Sequence, residues 1–238
     1  MKCSNPYCNA TSHSLYDDYC RYCGSKLIFT ENERDLRNGI TCKYPIPGGI
    51  RHKISGDPFG NPPAGIKAVS LGLPTGTKWA NMNIGAAAPE DLGSLFAWGE
   101  TDERTECDWK TYSRCGGDMD TCYDLGRNIS GTKFDVARQR WGGKWQIPSE
   151  KEFEELLGNC SFEWTTLNGV GGGTLTGPNG NSIFLPCSSE ESFEDYWLSE
   201  PINTNCALSF YVNKRGIMLA GSRICCRIKL MPIRPVNR

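Results

Sequence analysis

Residues 141–157 read WGGKWQIPSEKEFEELL and hold the clearest local structural signal in the chain. Ser149 followed by Glu152 is a capping box: the serine hydroxyl accepts from the Glu152 backbone N–H, and the glutamate accepts from the Ser149 N–H. Phe153, Leu156 and Leu157 follow at i, i+3 and i+4, the spacing of one apolar helix face, and Gly158 is expected to stop the helix. A second short helix is expected from Thr132 to Arg140, ahead of Gly142-Gly143. Beyond residue 160 the pattern changes to strands. Gly177-Pro178-Asn179-Gly180 is a turn, and the apolar Ile183-Phe184-Leu185 behind it reads as a strand. Residues 207–212 (ALSFYV) and 216–220 (GIMLA) read as a hairpin around Asn213-Lys214-Arg215. Ile228 to Ile233 reads as a last strand, with Pro232 placing its end near an edge. Two short helices followed by a run of strands give an α+β domain.

That domain is expected to span residues 67–238. Residues 29–66 read as a linker, first charged (Glu31, Glu33, Arg34, Asp35, Arg37), then rich in turn formers such as Pro47-Gly48-Gly49 and Pro62-Pro63. The chain has 238 residues, with 26 basic against 27 acidic side chains, so it lacks the basic excess of a nucleic-acid backbone binder. Residues 1–30 contain no apolar h-region, and no run approaches the ~20 apolar residues of a membrane span. The expectation is a cytoplasmic protein with reduced thiols.

Residues 1–28 carry a different signal. Cys3 and Cys8 form Cys-x4-Cys, and Cys20 and Cys23 form Cys-x2-Cys. Two short cysteine knuckles supply the four soft ligands of a tetrahedral structural zinc site. So short a segment cannot build an adequate core, and metal binding would supply its folding free energy. His13 is a substitute ligand, and a pair of disulfides is the alternative in an oxidising compartment. Zinc ribbons often bind nucleic acid, but Lys2, Arg21 and Lys26 give this one little basic character. The other nine cysteines are an odd number, which argues against a complete disulfide framework; most are expected to be small buried hydrophobes.

Several blocks carry a resemblance: LGLPTGTKWANMNIGAAAPEDLGSLFAWGET, WGGKWQIPSEKEFEELL, NGNSIFLP, YWLSEP and MPIRPV. From about Val69 to Val236 the chain resembles the Fibrobacter succinogenes major paralogous domain. That family is similar to the C-type-lectin fold, which it shares with formylglycine-generating enzymes. The resemblance implies two helices flanking a twisted, mostly antiparallel sheet, with long loops and both termini close together. Here only CSSEESFED separates the Ile183–Pro186 block from Tyr196-Trp197, where the family usually carries a longer insert.

The chemistry that such a fold suggests can be weighed residue by residue. Sugar-binding C-type lectins use a Glu-Pro-Asn loop; here Ile202 intrudes between Glu200-Pro201 and Asn203. Formylglycine-generating enzymes use a cysteine pair with copper, and Cys225-Cys226 echoes it, but neighbours on a strand point to opposite faces. Cys107, Cys115 and Cys122 are three thiols in a loop-like stretch, better suited to a buried role than to a metal. The only histidines are His13 and His52, and the Gly171-Gly172-Gly173 run lacks the Lys-Ser/Thr of a phosphate loop. Trp79, Trp98, Trp141, Trp145 and Trp197 are expected to anchor the core.

A non-enzymatic binding protein is therefore the expectation, with a protein or glycan ligand. Variable proteins of diversity-generating retroelements share the C-type-lectin fold and display hypervariable residues near their C-termini. By that resemblance the ligand face consists of Leu198, Glu200, Ile202, Asn203, Asn205, Phe210, Ile217, Met218, Ser222, Arg223 and Cys225; the alternative is that some of these, Phe210 and Ile217 especially, point into the core by strand alternation. An invariant interaction or adhesion module and a copper oxidase are the alternatives.

Overall fold

A computed structural model describes residues 62–188, 193–219 and 225–238, together with three two-residue strands before them. Those early strands are Lys2–Cys3 (β1), Leu27–Ile28 (β2) and Cys42–Lys43 (β3). β1 pairs antiparallel with β2, Cys3 opposite Leu27. The large domain opens with Ala68–Ser70 (β4), Lys78–Ala80 (β5) and Glu106–Cys107 (β6). β6 pairs with β3, so two residues of the stretch read as a linker add a strand to the domain.

Two helices follow. Val136–Trp141 (α1) is shorter than the sequence expectation of Thr132 to Arg140. Its start is fixed by Asp135, whose carboxylate accepts from the Ala137 and Arg138 N–H groups and so makes Asp135 the N-cap. After Trp145–Gln146 (β7) comes Glu150–Asn159 (α2), entered through the capping box of Ser149 and Glu152. Gly158 lies inside α2 rather than ending it, and Cys160 is the C-cap. Phe153 and Leu156 are buried, whereas Leu157 is exposed, so the apolar face is narrower than the spacing suggested.

The remaining elements are strands: Ser161–Leu167 (β8), Val170–Thr176 (β9), Ser182–Pro186 (β10), Glu194–Pro201 (β11), Cys206–Asn213 (β12), Gly216–Leu219 (β13), Cys225–Cys226 (β14) and Val236–Asn237 (β15). β8 and β9 turn through Asn168-Gly169, both at positive φ, as a two-residue hairpin requires. On β9, a Cβ at Gly173 would lie 2.3 Å from the Phe162 ring, and one at Gly172 would lie 2.5 Å from that of Phe184. The glycine run thus serves close packing of aromatic rings.

Three sheets build the domain: β10-β9-β8; β11-β12-β13, with β14 also on β12; and β4-β5-β15-β7. In the last, Val236 lies between Trp79 and Gln146, so the end of the domain sits in one sheet with its beginning. The domain is mostly β with few helices, in keeping with an α+β class. Residues 228–233 do not form the expected strand. Pro232 has no N–H to give a ladder, and only Met231 makes a bridge, to Phe96.

Between the sheets Phe153 of α2 stacks on Phe210 at 4.5 Å, and Phe210 on Tyr196 at 5.0 Å. Burying each such side chain contributes about 1.5–3 kcal/mol. The five tryptophans expected in the core are there. Trp98 and Trp197 are cross-tied, Trp98 Nε1 donating to Leu198 O and Trp197 Nε1 to Phe96 O, each at 2.8 Å. These bonds pin the strand that leads to the candidate site.

Candidate ligand-binding face

The eleven residues expected to form one face divide by burial. Leu198, Asn205, Phe210, Ile217 and Cys225 are buried. Both faces of this sheet are covered: residues 194–199 of β11 are all buried, with Trp197 in one cluster and Leu198 in another. β11 and β12 place Tyr196 opposite Phe210, and Ile217 on β13 lies opposite Val212; all four belong to the cluster under α2. Cys225 packs beside Trp98 and Trp197 in another cluster, 3.1 Å from Ser209 Oγ. These five do not contribute to an exposed face. Ser222 and Arg223 lie outside the described residues, as do Cys8, Cys20, Cys23 and the side chain of Cys3.

Four expected residues reach the surface: Glu200 and Asn203 in part, Ile202 at 43% and Met218 at 54% exposure. They fall into two patches. At the first, Met218 lies opposite Tyr211, whose hydroxyl donates to its sulfur at 3.3 Å. Phe193 meets Tyr211 edge-on with ring centres 6.0 Å apart, giving a thioether and two rings on one sheet surface. Beside them Lys229 Nζ bonds the buried Asp195 carboxylate at 2.8 Å.

At the second patch Ile202 and Asn203 join the exposed Tyr123. Beneath it lies Arg227, buried and stacked over the Trp98 ring at 4.4 Å. Its Nη1 donates to Tyr123 O at 3.0 Å and its Nη2 to Asn203 O at 2.9 Å. One cation therefore fixes both loops and holds Tyr123 and Ile202 in a set relation. Burial lowers the Arg227 pKa from its ordinary value. Sequence reasoning missed Arg227, although an arginine inside the apolar run ICCRI was a legible signal. The patches flank the two ends of β12, roughly 17 Å apart at strand rise from Cys206 to Tyr211. Residues 220–224 connect β13, beside the first patch, to β14, beside the second.

Glu200 is less available than expected. Its carboxylate accepts from Asn128 Nδ2 at 2.8 Å and from the Glu150 N–H at 3.0 Å, which ties a loop to the start of α2. Burial raises its pKa, against the pull of the Glu150 and Ser199 hydrogen bonds. Near the same helix is an open cleft of about 410 Å³, lined by Thr75, Gly76, Thr77, Ser149, Lys151, Glu152, Glu155 and Arg238. Its carboxylates are already engaged: Arg238 grips Glu152 with two bonds at 2.6 and 2.7 Å, and Thr75 donates twice to Glu155 at 2.7 Å. The Ser149 hydroxyl also donates to Glu152 Oε2, at 2.7 Å.

Against known proteins, no family model, no curated protein and no solved structure matches the chain. Its site is therefore read from geometry. The sulfurs of Cys225 and Cys226 belong to different clusters, one with Trp197 and the other with Trp109, an arrangement that does not present both to one ion. Among the described residues no helix is long and apolar enough to cross a membrane.

Proposed function

We propose that this chain is a non-enzymatic ligand-binding protein on a C-type-lectin-like scaffold, and the target protein of a diversity-generating retroelement. The observation that carries this is the division of residues 193–218. Phe193, Ile202 and Met218 are exposed, while their neighbours Tyr196, Phe210 and Ile217 are buried. Exposed aromatic, aliphatic and thioether side chains on a rigid sheet and its loops are the types that anchor interfaces. The shared sheet of β4, β5 and β15 supports the scaffold, since the resembled fold brings its termini together. Its ligand is a protein or a glycan.

Sequencing this gene in sibling isolates tests the proposal. Codon differences traceable to template adenines are expected at exposed positions such as 202, 203 and 218, and at 222 and 223. Positions 198, 205, 210, 217 and 225 should be fixed, because their side chains are core. Differences scattered evenly over buried and exposed positions would sink it. An unchanging 193–225 region would instead favour an invariant interaction or adhesion module.

For residues 1–28 we propose a structural zinc site at Cys3, Cys8, Cys20 and Cys23. The pairing of Cys3 with Leu27 supports this, because it brings the first ligand position back to the chain just after Cys23. Metal analysis of the purified chain is expected to give about one zinc, the stoichiometry of a closed four-cysteine site. Cys3→Ser should abolish it and leave the melting of the large domain unchanged. Full zinc retention in that variant would rule the site out.

A further inference from the structure

Two pairs of cysteines face each other across neighbouring chain segments: Cys115 with Cys122, and Cys206 with Cys226. Composition alone does not produce this. Cysteine is 13 of 238 residues, so a given cross-strand partner is a cysteine roughly one time in twenty. We propose that these four thiols form two cross-strand disulfides, Cys115–Cys122 and Cys206–Cys226, that close under oxidising conditions.

The geometry is fullest at Cys115–Cys122. The Tyr123 N–H donates to Arg114 O at 2.9 Å and the Gly116 N–H to Thr121 O at 3.2 Å. These bonds flank the cysteines, which are therefore a non-hydrogen-bonded antiparallel pair. Cα atoms in such a pair lie about 4.5 Å apart, inside the roughly 4.4–6.8 Å span that a disulfide bridges. The Cys115 thiol donates to Trp109 O at 3.0 Å, so it is held on the inner side of this turn. Both arms are held: Asp118 caps the turn between them, and Arg227 grips Tyr123 O. The Arg227 N–H bonds to Asn205 O at 2.9 Å, one of the two bonds that would flank Cys206–Cys226 in the same way. Cys107, Cys115, Cys206 and Cys226 all line one hydrophobic cluster, with Trp109 and Tyr112. On the segment from Glu100 to Leu125 that cluster rests on little regular structure, a two-residue strand and a 3-10 turn. Such loop-rich regions gain most from covalent ties.

The bond forms by thiol–disulfide exchange with a small-molecule disulfide such as oxidised glutathione. Cys122, the more exposed residue of the pair, loses its proton and attacks one glutathione sulfur; the other leaves as a thiolate and takes that proton. Cys115 then loses its proton and attacks Cys122 Sγ, and the second glutathione departs as a thiol. Two protein thiols are oxidised and one glutathione disulfide is reduced. Burial, then the neighbouring Cys115, pushes the Cys122 thiol up to about 12, so closure is slow at neutral pH and speeds up with pH.

The test is peptide mapping of the full chain after equilibration with mixtures of oxidised and reduced glutathione. Tryptic peptide 115–127 holds Cys115, Cys122 and no other cysteine. It should appear two hydrogens lighter and resist alkylation. The native chain should keep this bond at a ratio of oxidised to squared reduced glutathione at least about tenfold below that needed by the synthetic 115–127 peptide, since the fold holds the sulfurs together. Peptide 224–227 should be linked to the fragment carrying Cys206, through Cys226. Alkylated Cys115 and Cys122 where the synthetic peptide is closed, or a different pairing of the four, would overturn the proposal.

Discussion

Asp135→Ala is expected to lower the unfolding free energy of the large domain by about 4 kcal/mol, because it strips several buried donors at once. Asp135 is fully buried. Its Oδ1 accepts from the Ala137 N–H at 2.9 Å and the Arg138 N–H at 3.1 Å; its Oδ2 accepts from the Gly131 N–H at 2.7 Å. The Ile147 N–H reaches both oxygens. Burial pushes the carboxyl above its ordinary pKa, and these N–H groups pull it back down. A lost helix cap alone would cost ~1 kcal/mol. The excess comes from Gly131 and Ile147, which lie outside α1 and join it to the entry of α2. Urea denaturation of the two proteins measures the difference. A loss near that of an ordinary cap would mean that water replaces the carboxylate, and that Asp135 does not organise this corner.

Arg234→Met is the second large effect, with a loss of about 3–5 kcal/mol from leaving three buried acceptors without their donor. Arg234 is fully buried, with Nε on Asn83 Oδ1 at 2.7 Å, Nη1 on Ala80 O at 3.0 Å and Nη2 on Phe184 O at 2.8 Å. It bolts the end of β5 to β10. Burial depresses its pKa to about 10, so it is still a cation at neutral pH. Desolvating that cation is costly, and methionine would relieve the cost. The balance still falls against methionine, because the three oxygens stay where they are. Arg234→Lys should also lose at least ~1 kcal/mol, since an ammonium lacks the planar fork that reaches three directions. Equal melting of Arg234→Met and the parent chain would show that the three bonds contribute no net stability.

Both residues tie core elements together and belong to neither exposed patch. Substitution at Ile202 or Met218 should move stability far less, within the ~0.5 kcal/mol usual for surface positions. That contrast is what a scaffold needs if it is to vary its surface without unfolding.

The parts of this chain legible in its sequence are those whose cause lies within a few residues. Ser149 and Glu152 fix the start of α2 with their own side chains, and Asn213 to Arg215 turn the β12–β13 hairpin without outside help. The Asn168-Gly169 turn was equally local and went unread. The zinc ligands rest on their spacing and on the pairing of Cys3 with Leu27; their side chains lie outside the described residues. Tertiary structure decided the rest. For Phe210 and Ile217 the sequence leaves surface and core both open, because aromatic and aliphatic side chains serve either. Only the packing of α2 over one side of β12 makes that side the core and leaves Tyr211 and Met218 outside. Residues 228–233 have strand-like composition, yet the partner they find is a single bridge at Phe96, while Val236 takes its place between β5 and β7. The opposed cysteines are the clearest case. Cys206 and Cys226 are twenty residues apart in the chain, and nothing in their spacing reveals that β12 and β14 set them face to face.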